Sequence, residues 1–303
     1  MIDRLEGTKV AAPPLDPVEL GILLPVAYAS IFSSPVRLSS LWSRVAGTRA
    51  TEGQMRRALD GPSLRELVVE EDGLIWLRRS EPHRLKRAFT EREIATRDLL
   101  TRNRAVLSFL GGLPGVRLAA LSGGCAHDAA DDGDIDVFVV TEPQALWRTL
   151  LCSTLVAKAR GWRRLLCLNY LVDSTAQALP WRDFYGAFEL ISLKPFKGEE
   201  AFDDLLKANP WTETLFPNFL PSRLHGQNPA NRTRTTTAPG SRLLEATARM
   251  IHRPYLRYRL PNTTGVELSD HVVRLHATDH RTRLRGLFQD ALQNIGVEAP
   301  SWI

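Results

Sequence analysis

Asp134 and Asp136 stand one residue apart and run into Val137-Phe138-Val139-Val140, a β-branched and aromatic series that predicts a strand. Side chains alternate across a strand, so both carboxylates should share one face, with Ile135 and Val137 on the other. Two carboxylates so placed repel each other unless a cation lies between them. An all-oxygen pair suits a hard divalent ion such as Mg²⁺ or Mn²⁺. Asp128, Asp131 and Asp132 crowd the approach to the strand and, with Gly133, read as a flexible turn. Upstream, Gly123-Gly124 ends an apolar run, Val116 to Leu121, that itself reads as a strand. A glycine corner after a strand lets backbone approach a ligand closely and aim N–H groups at phosphate oxygens. An EF-hand loop does not fit, because position 130 is Ala and position 139 is Val where a closing Glu is needed. A solvated hairpin, or the Asp-x-Asp metal site of a sugar-nucleotide glycosyltransferase, stays open on these residues alone.

Corner, spacing and acidic strand together resemble the active-site signature of the DNA polymerase β-like nucleotidyltransferase superfamily. That signature places an apolar residue and Gly-Gly or Gly-Ser a short gap before Asp, an apolar residue, Asp or Glu and a further apolar residue. Here nine residues separate Gly124 from Asp134-Ile135-Asp136-Val137. The chain departs from the pattern at Ser122, which precedes Gly123 in place of an apolar residue, and at Gly124, more often Ser in the superfamily. The resemblance implies an NTP as donor substrate, with Ser122, Gly123 and Gly124 at the triphosphate, and catalytic Asp134 and Asp136 holding Mg²⁺ or Mn²⁺. It also implies a third metal-binding carboxylate on a neighbouring strand or helix, for which Asp173 and Glu189 are the candidates, while Asn169 is a poor substitute. Arg148 is a further candidate phosphate contact. The acceptor hydroxyl is left open among a small molecule, a protein side chain and an RNA end. Asn169-Tyr170, Ala187-Phe188-Glu189-Leu190 and Asn209-Pro210-Trp211 resemble segments of a bacterial family that carries a nucleotidyltransferase domain, a winged-helix region and no assigned substrate. His276 and Asp279 match the same family, and the resemblance spans most of residues 20–290.

The elements that must position these residues follow from periodicity and punctuation. The expected class is α+β: a nucleotidyltransferase mixed sheet with flanking helices, preceded by a winged helix-turn-helix and followed by a helical region. Residues 1–80 read as a loose arm and then helices over Pro17–Phe32, Leu38–Val45 and, from a Thr51/Gln54 capping box, to Leu59. Strands over Leu64–Val69 and Leu74–Leu77, joined by Asp72-Gly73, would form the wing. In such a module Gln54, Arg56, Arg57, Arg78 and Arg79 would face nucleic acid; a protein-packing role is the alternative. Residues 81–112 read as one charged linking helix, broken near Thr90, and 113–220 as the nucleotidyltransferase core. In that core a helix from Thr141-Glu142-Pro143 to Arg160 leads to a strand over Leu165–Val172. By parity Asn169 and Asp173 would share a face of that strand. Helices over Asp183–Leu190 and Glu199–Ala208 follow, with a break at Pro195. Residues 221–241, rich in Pro, Asn, Thr and Arg, read as a flexible loop whose Arg232 and Arg234 are candidates for a polyanion. Residues 242–303 read as helical, with helices over Leu243–Ile251 and from about Thr278 or Arg281 to Leu292.

Whole-chain composition is that of a globular protein, at 44% hydrophobic and 24% charged residues. No apolar run approaches the ~18 residues of a membrane span, so no membrane partner and a cytoplasmic location are expected. Cys125, Cys152 and Cys167 lack metal-ligand spacing, which argues against structural zinc and for a reducing compartment. The net charge of +5 favours polyanionic partners such as NTPs or nucleic acid without distinguishing them.

Overall fold

The computed structural model describes residues 14–130, 133–219, 241–260, 265–275 and 280–302. It is a mixed α+β structure built on a six-stranded mixed sheet with flanking helices. The chain enters through α1 (Pro17–Ile31), opened by a capping box in which the Asp16 carboxylate accepts from Val18 N and Glu19 N. Then come α2 (Leu38–Leu41), a 3-10 turn (Trp42–Arg44), α3 (Glu52–Asp60) and α4 (Pro62–Leu67). A small antiparallel sheet of β1 (Val36–Arg37), β2 (Val68–Glu71) and β3 (Leu74–Leu77) has the order β1-β3-β2. The strand expected over Leu64–Val69 therefore begins only at Val68, because Pro62 starts a short helix after Gly61.

The N-terminal region does not have a core of its own. Ile22, Leu23, Tyr28 and Val36 pack in one cluster with Phe184, Phe188, Phe216, Phe288 and Leu292. Tyr28 alone meets Phe184, Phe188 and Phe288 with ring centroids 5.6, 4.9 and 5.5 Å away. The packing thus crosses the boundary that the helix and hairpin pattern places at residue 80. The charged segment that follows is two helices, α5 (Pro82–Arg102) and α6 (Arg104–Gly112), divided at Asn103 and not near Thr90.

The large sheet holds β4 (Val116–Leu121), β5 (Ile135–Thr141) and β6 (Leu166–Asp173). Between β4 and β5 stands the four-residue α7 (Gly123–Ala126), and α8 (Leu146–Ala159) crosses from β5 to β6. Beyond them lie α9 (Phe184–Ser192), β7 (Lys194–Lys197), α10 (Glu199–Lys207) and α11 (Trp211–Leu215). A hairpin of β8 (Val266–Leu268) and β9 (Val272–Leu275) completes the sheet in the order β7-β4-β5-β6-β9-β8. Only β5 and β6 are parallel, as the helical crossover requires. Val137, Val139, Leu168 and Leu171 face α8 and α6, whereas Phe138, Val140, Tyr170 and Val172 face α9 and α10.

Three expectations are corrected here. Pro195 does not merely break a helix but lies in an edge strand paired with β4. The C-terminal region is not all helical, since β8 and β9 extend the sheet between the helices Ser241–Arg259 and His280–Asn294. Finally, α8 starts at Leu146 and not at Pro143, because Glu245 caps it from a distant helix, accepting from Trp147 N at 2.7 Å and Arg148 N at 2.9 Å. The expected loop with Arg232 and Arg234, and His276 and Asp279, lie outside the described residues.

Candidate metal and substrate site

Gly123 and Asp136 are in contact across the β4–β5 pair. Ser122 N donates to Asp136 O at 3.0 Å, and Gly123 follows with φ +52°. A Cβ at Gly123 would lie 2.6 Å from Asp136 Oδ2, so only glycine allows the carboxylate to rest on this backbone. Gly124 is under similar constraint, with Ala129 O at 2.7 Å from a notional Cβ. The loop onward is tied back: Ala129 N donates to Gly124 O at 2.8 Å, and Ala130 N to Thr96 Oγ1 of α5 at 3.0 Å. Ala129 and Ala130 are therefore anchored to the corner and to a flanking helix.

Asp134 sits immediately before β5 and Asp136 within it, both half-buried. Each brings a carboxylate oxygen, and Cys167 its Sγ, to within 4.8 Å of the others, the one such group among the described residues. Cys167 joins because the parallel register pairs it directly with Asp136. Burial, and after it the charges of Asp136 and Asp134, push the Cys167 thiol well above its ordinary pKa. The thiol donates to Asn169 Oδ1 at 2.9 Å. The two carboxylates are then the hard ligand pair, whose donor chemistry fits Mg²⁺ or Mn²⁺.

Asn169 meets Asp136 through a bulge in β6. Val137 pairs with Leu168 but Phe138 pairs with Tyr170, which leaves Asn169 as the extra residue. Its amide donates to Asp136 Oδ1. The bulge also overturns the parity expected from sequence. Beyond it Tyr170 and Val172 occupy the Asp136 face, and Asp173 turns to the other.

Asp173 consequently does not belong to the metal group. It pairs with Thr141, five residues along β5 from Asp136, a separation of about 16 Å at ~3.3 Å per residue. Its buried carboxylate accepts from Thr175 N at 2.8 Å and lies 2.6 Å from Nδ1 of His271. Arg148 is also elsewhere. Its guanidinium lies beside Gly115, which precedes β4, whereas Gly123 follows it. The phosphate contact expected of Arg148 is thus not available at the glycine corner.

Glu189 does reach the site. Together with Ser122, Gly123, Phe138, Asn169 and Tyr170 it lines a chamber of about 170 Å³. Its Oε1 lies 3.2 Å from His127 Nε2, just past α7. Three further charges surround this point. Lys194 Nζ bonds Asp128 Oδ1 at 2.7 Å. Arg44, from the 3-10 turn of the N-terminal region, stacks over Phe188 at 5.2 Å. Burial lowers the pKa of the Arg44 guanidinium, and the charges of Glu189 and Asp128 work in the opposite direction. Arg44 gives no sequence signal, since it stands among ordinary packing residues and 145 positions before Glu189. In the sequence Cys167 is one of three cysteines without metal-ligand spacing, and nothing local sets it beside Asp136.

The arginines expected to face nucleic acid are mostly engaged within the chain. Arg56 pairs with Glu70 at 2.6 Å, Arg78 donates to Arg65 O at 2.8 Å, and Arg79 to Asn294 O. Gln54 accepts from Thr51 N at 2.8 Å, closing the capping box of α3. No helix among the described residues is long and apolar enough to cross a membrane. Comparison with protein-family models, with curated proteins and with solved structures returns no match for this chain.

Proposed function

We propose that the protein is a metal-dependent nucleotidyltransferase of the polymerase β-like kind, moving a nucleoside monophosphate from an NTP to a hydroxyl acceptor. The observation that carries this reading is the contact between Gly123 and Asp136, which puts a glycine backbone corner against a carboxylate pair. At the start of α7 the amides of Gly123 and Gly124 have no intrahelical partner, and they are the donors for triphosphate oxygens. Asp134 and Asp136 would hold Mg²⁺ or Mn²⁺, which supplies charge neutralisation on the phosphates and acidifies the acceptor hydroxyl. In the transfer the acceptor oxygen bonds the α-phosphorus and the bond to the bridging oxygen breaks. Pyrophosphate leaves with the electron pair, and the hydroxyl proton passes to solvent. This chain's own part is positional: Asn169 fixes the rotamer of Asp136, and Glu189 borders the reaction space on the side of α9.

The test is pyrophosphate release from each of the four NTPs with Mg²⁺ or Mn²⁺ and cell extract as acceptor, for the wild type and for Asp134→Asn/Asp136→Asn. Release with one NTP, lost in the double variant, is the expected result. No release with any NTP overturns the reading.

One observation favours a second reading. An amide, Asn169, contacts Asp136 where the superfamily resemblance implies a further carboxylate nearby. A nucleotide sensor coupled to nucleic-acid binding through the N-terminal region would bind NTP without turnover. It would also retain duplex DNA, with a steep salt dependence, after loss of both aspartates.

A further inference from the structure

We propose that the chamber beside the acid pair is the acceptor site, and that it selects a compact ring carrying an anionic group through Arg274. This rests on the transferase reading for the word acceptor, though not for the ligand class.

Size comes first. The chamber encloses about 170 Å³, close to the ~150 Å³ of an engineered cavity that admits benzene. A single ring fits within that volume. The walls suit a ring as well. Phe138 and Tyr170 stack with centroids 5.2 Å apart and planes 5° from parallel, and Trp181 meets Tyr170 edge-on at 5.3 Å.

Charge then sets the chemistry. Arg274 of β9 and Arg281 of the C-terminal helix both lie over Trp181, at 5.0 and 5.4 Å from its ring centroid. Asp183 pairs with Arg281. Arg274 forms no ion pair among the described residues, and its Nε is buried without a hydrogen-bond partner. A guanidinium held on an aromatic wall of the chamber matches the planar fork of a carboxylate or phosphate. The lining also includes Ser122, Asn169 and Glu189, and the first two are hydrogen-bonded to Asp136. A ligand whose anion meets Arg274 would share the chamber with the groups bonded to Asp136, and in this proposal its hydroxyl is the group that meets them.

The experiment is titration calorimetry on the full chain in EDTA with three probes of one ring size: phenyl phosphate, benzoate and uncharged phenol. Expected are saturable binding of the two anions and at least tenfold weaker binding of phenol. Arg274→Gln should weaken the anions about tenfold, as loss of a charge-assisted hydrogen bond does, and leave phenol unchanged; Arg274→Lys should recover part of the loss. Circular dichroism establishes that both variants fold. Equal binding of phenol, absence of saturable anion binding, or no effect of a folded Arg274→Gln would each overturn the chamber's assignment. Anion binding without NTP turnover overturns the transferase reading and leaves the anion-selective chamber in place. Turnover without anion selectivity does the reverse.

Discussion

Asn169 donates its side-chain amide to Asp136 Oδ1 from a bulge that exists only because β6 carries one residue more than β5 at that point. The amide orients the carboxylate that the proposed metal must meet. Removing it in Asn169→Ala should weaken Mn²⁺ binding by about 10-fold, the usual lower effect of losing an outer-shell partner. Asn169→Asp should lower the melting temperature in EDTA, where three carboxylates repel, and gain more from added Mn²⁺ than the wild type does. Electron spin resonance of free Mn²⁺ reads the first effect and thermal melting the second. A melting temperature for Asn169→Asp that Mn²⁺ does not raise would remove the metal from this site.

Glycine at 123 is required twice, for φ +52° and for the absence of a Cβ against Asp136. Gly123→Ala should cost about 1–3 kcal/mol of stability and abolish metal binding as Asp136 is displaced. Gly133→Ala is the control. Its φ of +74° is similar, yet among the described residues no atom beyond its chain neighbours stands within 4 Å of a Cβ. It should show a cost of about 1 kcal/mol with metal affinity intact. Denaturant titration with and without Mn²⁺ separates the two.

The role of Asp173 is tested by Asp173→Asn. The buried carboxylate, 3% exposed at its side chain, joins Thr175 and His271. Its loss should destabilise the fold by about 1–3 kcal/mol with Mn²⁺ affinity unchanged. A matching loss of metal affinity would return Asp173 to the site.

His252 is buried on the Ser241–Arg259 helix, and neither ring nitrogen has a hydrogen-bond partner among the described residues. Burial lowers its pKa. The folded state thus favours the neutral ring more than the unfolded chain does, and the unfolded chain takes up a proton as pH falls below ~6.5. Stability is retained above that value and declines below it, with a slope of at most about 1.4 kcal/mol per pH unit from this group. His252→Phe should flatten the dependence between pH 6.5 and 5. An equal slope in variant and wild type would place the acid sensitivity elsewhere.

Much of the candidate site is local, and so legible in the chain itself. The glycine corner, the strand formers after Asp136 and the alternation that puts Asp134 and Asp136 together depend on residues within a few positions of each other. The capping boxes at Asp16 and Thr51 are local too. Pairing across the sheet is not. The register that sets Cys167 beside Asp136, and the bulge that turns Asn169 in and Asp173 away, come from where β6 lies against β5. A one-residue slip reverses every face beyond it, and single-chain parity cannot reveal that slip. Long-range packing likewise moved Arg148 to Gly115 and brought Glu189 and Arg44 together. It also folded the N-terminal helices into a core shared with Phe184, Phe188 and Phe288. Local chemistry named the carboxylates; their neighbours were chosen by burial of surfaces far apart in the chain, a choice made only when the whole chain packs.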